Sequence, residues 1–179
     1  EPEQSRSKMQ WALYYLISYV ICQSMIAFEW VMPLEYPWIS TLFGAWFFIE
    51  AIQITLALCY LILFWIYKTN REEYLALKTL RRDIGKMLFG FTCLWGGFTF
   101  AQFIVWWYGN IPEEIHPLLE RLHHGQPLKA MTLSLFAILF AVPFIALLGK
   151  ASKLKPRWTM LVAIWILCCH LIERWVILS

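Results

Sequence analysis

Hydrophobic residues form five near-continuous runs along the chain, separated by polar segments. The runs are Trp11–Met32, Ile39–Tyr67, Met87–Tyr108, Leu128–Leu148 and Trp158–Leu178. Each is about 20 residues or longer, the length that a helix needs to cross a hydrocarbon core about 30 Å thick. Transmembrane strands would alternate between apolar and polar residues, and these runs do not. The pattern predicts an all-α integral membrane protein: a single domain, residues 1–179, formed by a bundle of about five transmembrane helices.

Composition supports this class. The chain has 179 residues, of which 60% are hydrophobic, and its mean hydropathy is +0.58. Its first residue is Glu1, and it ends directly after the fifth run. Five runs with such ends predict either a fragment or a subunit completed by other chains. All five cysteines lie inside the runs without a CxxC spacing, so we expect neither a disulfide nor an iron–sulfur cluster.

Basic residues predict the orientation. Of the 15 Lys and Arg residues, 12 lie in the N-terminal segment, in residues 68–86 or in residues 150–157. The opposite loop, residues 109–127, carries Glu113, Glu114 and Glu120. The positive-inside rule therefore places the N-terminus in the cytoplasm. The net charge of +3 reflects this asymmetry and gives no indication of nucleic-acid binding.

Residues 71–86 repeat apolar positions at helical spacing, with basic residues on other faces. This pattern predicts a helix lying at the cytoplasmic membrane surface, held by anionic lipid headgroups. A solvated basic loop fits the same pattern of charge and spacing equally well.

Ionisable and amide side chains inside the runs are the first candidates for function, because a charge at the bilayer centre costs about 2.5–3.5 kcal/mol. Glu50 lies about 17 Å along the second run, counted from Ile39. Gln53 is on the same helical face three residues later. A buried acid with a polar neighbour suits proton transfer; a protonated Glu that only joins two helices is the structural alternative.

Further polar residues lie nearer the predicted outer surface. Glu29 lies close to the exit of the first run, and His170, Glu173 and Arg174 share one turn of the fifth. For Glu173 and Arg174, contact with headgroups and a local ion pair are equal alternatives. On the third run, one face carries Thr92, Trp95, Thr99, Gln102 and Trp106. If the helices bundle, these groups line a polar funnel suited to a hydroquinone that releases protons outward, or to an ion path.

Metal and haem motifs are weak. A b-type haem needs two intramembrane histidines on facing helices, and His170 is the only histidine inside a run. The pairs Glu113/His116 and Glu120/His123 each have the Glu-x-x-His spacing of di-iron sites, but they lie on one segment. A di-iron centre needs them on two facing helices, so we expect no metal site.

The chain resembles the F subunit of bacterial alternative complex III, a quinol:electron-acceptor oxidoreductase, within the polysulfide-reductase-type family of membrane subunits. The resemblance is carried by four segments in the family's order, covering Phe28–Met32, Trp38–Gly44, Gln102–Glu114 and His170–Trp175. The family's subunit has about twice as many spans, so this chain corresponds to its C-terminal half without the final helix. Glu29 and Glu173 stand where the family would have Asp.

The resemblance implies a membrane subunit of a respiratory quinol-oxidising complex, in the inner membrane of a bacterial cell and accessory to catalysis. It would contribute to a quinol environment, a proton path or both. It implies no cofactor on this chain, with haem c and iron–sulfur clusters in partner subunits. Expected partners are other membrane and periplasmic subunits, lipids, quinol and a terminal oxidase.

The candidate residues divide between two roles. Proton-path candidates are Glu29, Glu50, Gln53, His170 and Glu173; quinol-site candidates are Gln102, Trp106, His170 and Arg174. Two other classes of function remain open. One is a purely structural subunit of a multi-subunit complex, and the other is a small ion or proton transporter. The transporter is less favoured, because the sequence has no internal repeat and no pair of broken helices.

Overall fold

The computed structural model describes residues 2–35, 39–69, 72, 77–109, 111, 126–149 and 155–178. These residues form five α-helices and contain no strand. The helices are α1 (Pro2–Ile26), α2 (Phe43–Thr69), α3 (Lys78–Gly109), α4 (Gln126–Leu148) and α5 (Pro156–Leu178). After α1 the chain continues through a π-helical turn, Ala27–Val31, and a 3-10 turn, Met32–Glu35. The prediction of an all-α fold is confirmed.

Four of the helical segments are long and apolar enough to cross a membrane. They are Arg6–Leu34, Phe43–Ile66, Lys78–Gly109 and Pro156–Trp175, and Ala137–Leu148 within α4 is a shorter apolar helix. Side chains such as Trp30, Trp65 and Trp107 lie exposed on the outside of the bundle. An apolar exterior is the surface that a bilayer solvates, so the fold is that of a multi-pass membrane protein.

Several helix ends differ from the predicted ones. The first helix begins at Pro2, nine residues before Trp11. The second helix begins at Phe43 and not at Ile39, after a short turn at residues 41–42. The third begins at Lys78, so residues 78–86 are its first turns and continue directly into the apolar run. Of the surface helix predicted at 71–86, residues 71 and 73–76 lie outside the described residues. Ile84 and Leu88 explain the continuity, because both are buried against the same core.

Helix α2 lies at the centre of the packing. It contacts α1, α3 and α5, while α4 packs against α3 and α5. One core cluster, around Tyr60, Leu88 and Ile166, fills the half of the bundle near Thr69. A second, around Ile49, Trp95 and Cys169, lies nearer Phe43. Since lipid tails are as apolar as leucine, close packing and interhelical hydrogen bonds hold such a bundle together.

At Gly96, α3 packs directly against the Phe140 side chain of α4. A Cβ atom added there would lie 2.3 Å from the Phe140 ring, whereas a Cβ at neighbouring Gly97 meets nothing within 4 Å. The sequence pattern places Gly90, Gly97 and Ala101 on a face suited to helix packing. In the described structure these three residues instead line an open groove on α3, together with Cys93, Leu94 and Phe98.

We expect Gly96→Ala to destabilise the fold and Gly97→Ala to leave it unchanged or slightly more stable. Both substitutions gain the same helix propensity, but only the first forces the Phe140 ring to move, at a cost of about 1–3 kcal/mol. Denaturation of the purified chain in detergent micelles measures the difference. Equal stability of the two variants would contradict the close contact of α3 with α4.

Candidate functional site

Polar side chains meet where α2, α3 and α5 pack together. Glu50 and Gln53 come from α2, Thr92 from α3, and His170, Glu173 and Arg174 from α5; we call these six residues the polar cluster. Except for Arg174, each is at most 2% exposed. Residues three or four positions apart share a helical face, so Glu50 with Gln53 and His170 with Glu173 point into one interface. Burial inside the bundle keeps these groups away from lipid.

Glu50 and Arg174 form an ion pair between α2 and α5. The guanidinium Nε donates to Glu50 Oε1 at 3.0 Å, and a second guanidinium nitrogen donates to Oε2. This two-point contact matches the planar fork of arginine to a carboxylate. The guanidinium also lies over the rings of Trp46 and Phe47, 5.6 and 4.9 Å from their centroids. Both oxygens of Glu50 are therefore engaged by one cation.

His170 is the centre of a hydrogen-bonded chain that joins all three helices. Its Nδ1 lies 2.8 Å from Glu173 Oε2, and its Nε2 lies 3.2 Å from Gln53 Oε1. The Gln53 amide nitrogen donates to Thr92 Oγ1 at 3.0 Å, and the Thr92 hydroxyl donates to the Leu88 carbonyl at 2.8 Å. Nδ1 is also 3.5 Å from Glu50 Oε1, so two carboxylates flank one imidazole nitrogen.

One oxygen of the polar cluster has no hydrogen-bond partner among the residues that the structure describes. Glu173 Oε1 is buried and makes no hydrogen bond within the described residues. Buried polar atoms are almost always paired, and an exception calls for an explanation in chemistry or an unseen partner. The Trp95 ring packs edge-on against His170, with centroids 6.0 Å apart, and closes the cluster on the α3 side.

A second polar level lies nearer the Gly109 end of α3. Ser40 donates to Gln102 Oε1 at 2.9 Å, and the Trp46 indole donates to Thr99 Oγ1 at 3.2 Å. The Gln102 amide nitrogen and the Trp106 indole nitrogen are donors without an acceptor among the described residues. Trp46 connects the two levels, because the Arg174 guanidinium lies over its ring.

The structure brings most of the predicted site residues together. Glu50, Gln53, His170, Glu173 and Arg174 are in one cluster, and Gln102 and Trp106 lie on the same face of α3, without a hydrogen bond to that cluster. Glu29 is apart from them: it is exposed, on the π-helical turn at the end of α1.

Two other predictions are refined by the structure. Arg174 pairs with Glu50 on another helix rather than with adjacent Glu173. Because α2 begins at Phe43, Glu50 lies about 10 Å into its helix and not 17 Å. Across the interface with α5, Glu50 is level with Arg174, and its Oε1 lies 3.5 Å from His170 Nδ1.

Five residues of the site are not among the candidates that the sequence predicts. Thr92, Trp95 and Thr99 share a helical face in the sequence pattern without an assigned role, and Ser40 and Trp46 are not predicted at all. Trp46 precedes Glu50 by four residues, a spacing that places the two on one face of α2. This spacing is the sequence feature that could have predicted Trp46 as a neighbour of the Glu50 site. Nothing in the sequence near Ser40 points to Gln102, which is 62 positions away.

Glu50, His170 and Glu173 each offer a ligand atom, and these atoms lie within 4.8 Å of one another. A divalent cation fits this set poorly, however. Both oxygens of Glu50 are already bound to the Arg174 guanidinium, and a second cation beside that charge would be repelled in a medium of low dielectric constant. The donor set suits a proton better than a metal ion.

These features define the class: a multi-pass helical membrane protein with an ionisable cluster buried between three helices. Comparison of the chain with protein-family models and with curated proteins finds no match. The particular assignment therefore depends on the chemistry of the cluster.

We expect Glu50→Gln to lower the free energy of unfolding by about 3 kcal/mol, since it leaves the Arg174 charge largely buried and uncompensated. The double variant Glu50→Gln/Arg174→Gln should recover most of that loss. Chemical denaturation in detergent measures both. Asp83→Asn is the matched control, because it breaks the exposed Lys86–Asp83 pair at 3.0 Å and should change nothing measurable. Additive effects of the two cluster substitutions would contradict a coupled ion pair.

Proposed function

We propose that the chain is a membrane subunit of a respiratory quinol-oxidising complex in a bacterial inner membrane, where its polar cluster accepts and passes protons. The observation that supports this most is the hydrogen-bonded chain from Thr92 through Gln53 and His170 to Glu173. It is buried, it joins three helices and it ends in a carboxylate oxygen without a partner in the described part of the chain. The resemblance of the sequence to the F subunit of alternative complex III supports the same assignment.

The residue types suit proton transfer. Imidazole and carboxylate groups are the side chains that most often donate and accept protons near neutral pH. Ionisable residues inside a membrane are rare and mark ion or proton pathways more often than packing. The charges of Glu50 and Arg174 cancel, so this ion pair adds no net charge beside His170 and Glu173.

The second polar level supports a role beside quinol. Oxidation of a hydroquinone removes two electrons and two protons from its ring oxygens. The Gln102 amide nitrogen and the Trp106 indole nitrogen have no acceptor among the described residues, and such donors suit a hydroquinone oxygen. In this proposal the electrons leave to haem c and iron–sulfur clusters of partner subunits, and this chain handles protons. Other membrane and periplasmic subunits, with a terminal oxidase, complete the system.

A purely structural subunit is the principal alternative. Interhelical hydrogen bonds alone explain why Gln53, Thr92 and the Glu50–Arg174 pair are buried between helices. They do not explain why one Glu173 oxygen lacks a partner within the described residues, since a group kept only for packing is expected to have its hydrogen bonds satisfied. A small cation transporter is less favoured, because the Arg174 guanidinium occupies the carboxylate that would bind the cation.

We expect His170→Ala and Glu173→Gln to lower proton release coupled to quinol oxidation about a hundredfold, the lower end of the range for loss of one proton-transfer group. The assay uses the complex isolated from its native membrane, with assembly checked by subunit composition. Thr55→Val is the control: Thr55 lies on α2 and is exposed, and its hydroxyl donates to the Ala51 carbonyl at 2.8 Å. Normal turnover and proton release by both cluster variants, with normal assembly, would favour the structural role.

A further inference from the structure

The hydrogen-bond chain around His170 has a direction that its geometry determines. The Thr92 hydroxyl has one proton, and that proton is donated to the Leu88 carbonyl one turn earlier on α3. Thr92 Oγ1 can then only accept toward Gln53. The Gln53 amide must therefore present its NH2 group to Thr92 and its carbonyl oxygen to His170.

The orientation of Gln53 determines where His170 carries hydrogen. A carbonyl oxygen only accepts, so Nε2 of His170 must be the donor in their 3.2 Å contact. On the other side of the ring, Nδ1 lies 2.8 Å from Glu173 Oε2. Two bare acceptors would repel at that distance, so a proton lies between them, on one atom or the other.

We propose that Thr92 and Gln53 lock His170 with hydrogen on Nε2, and that His170 Nδ1 and Glu173 Oε2 together hold one exchangeable proton. In the loaded form the pair has no net charge, either as neutral imidazole with a carboxylic acid or as imidazolium with a carboxylate. In the empty form it is neutral imidazole with a carboxylate, charge −1. Gln53 and Thr92 are positioning residues here, since they act only through His170. A role for this proton in quinol chemistry rests on the proposed function. The placement of hydrogen on His170 Nε2 does not.

The surroundings of the pair limit how that proton leaves. The route through Nε2 is closed, because the amide and hydroxyl beyond it would have to reverse together. From α2 the pair faces Glu50, and from α5 it faces Arg174 and the buried thiol of Cys169. Thr92 and Trp95 on α3 carry no charge. The Glu50 oxygens are engaged by the guanidinium. Glu173 Oε1 is the one oxygen of the pair without a partner in the described structure, so the proton enters and leaves there.

The test is nitrogen NMR of the full chain, labelled at histidine and placed in lipid bilayers without quinol. The His170 signals are identified by their loss in His170→Phe. We expect hydrogen on Nε2 throughout a pH titration, with only Nδ1 changing as the pair empties. In Thr92→Val the Gln53 amide is free to turn, and the population with hydrogen on Nδ1 alone should rise about fivefold, as loss of one neutral hydrogen bond predicts.

Thr99→Val is the matched control. Thr99 makes the same bond to the carbonyl one turn earlier, that of Trp95 at 2.8 Å, and accepts from Trp46 instead of from the cluster. It should leave the His170 signals unchanged. A wild-type His170 with hydrogen on Nδ1 alone would overturn the proposal, and so would equal effects of the two threonine variants. The NMR test contains no quinol, so a negative result contradicts only the position of hydrogen on His170. The proposed function is tested independently by the proton-release assay.

Discussion

The arrangement of α2, α3 and α5 depends on one constraint: ionisable groups taken into a medium of low dielectric constant must find partners there. An isolated buried charge costs several kcal/mol even after relaxation, and a well-formed pair recovers that cost only with good geometry. The bidentate contact of Arg174 with Glu50 provides such geometry, and the aromatic faces of Trp46 and Phe47 cover the guanidinium. Once this pair is set, α2 and α5 have a defined relative depth.

That depth in turn positions the neutral polar groups. With Glu50 level with Arg174, Gln53 lies one turn further along α2 and reaches His170 on α5 and Thr92 on α3. Apolar packing alone specifies the relative depth of membrane helices weakly, because one leucine contact resembles another. Directional hydrogen bonds are satisfied at one depth only, so the cluster selects a register among packings of similar energy.

Much of the fold could be predicted from the sequence, but the contacts of the site could not. Apolar runs longer than a bilayer is thick identify helices directly, and the five runs correspond to α1–α5. Intramembrane Glu50, Gln53 and His170 could be chosen as candidates because their cost in lipid is known. Their partners are distant in sequence: Arg174 is 124 positions from Glu50, and His170 is 117 from Gln53. Only the three-dimensional packing selects Glu50, and not adjacent Glu173, as the partner of Arg174.

The direction of hydrogen bonds gives the cluster a chemistry that its composition alone does not have. A histidine between a glutamine and a glutamate could carry hydrogen on either nitrogen and relay protons across its ring. The Thr92 bond to the Leu88 carbonyl removes that freedom, because it leaves the threonine oxygen as an acceptor and so orients the amide. An ordinary contact within one helix thereby determines the protonation of an imidazole on another. In the proposed arrangement the cluster is a proton store with one open end rather than a relay with two, and the open end is the buried Glu173 oxygen that has no partner among the described residues.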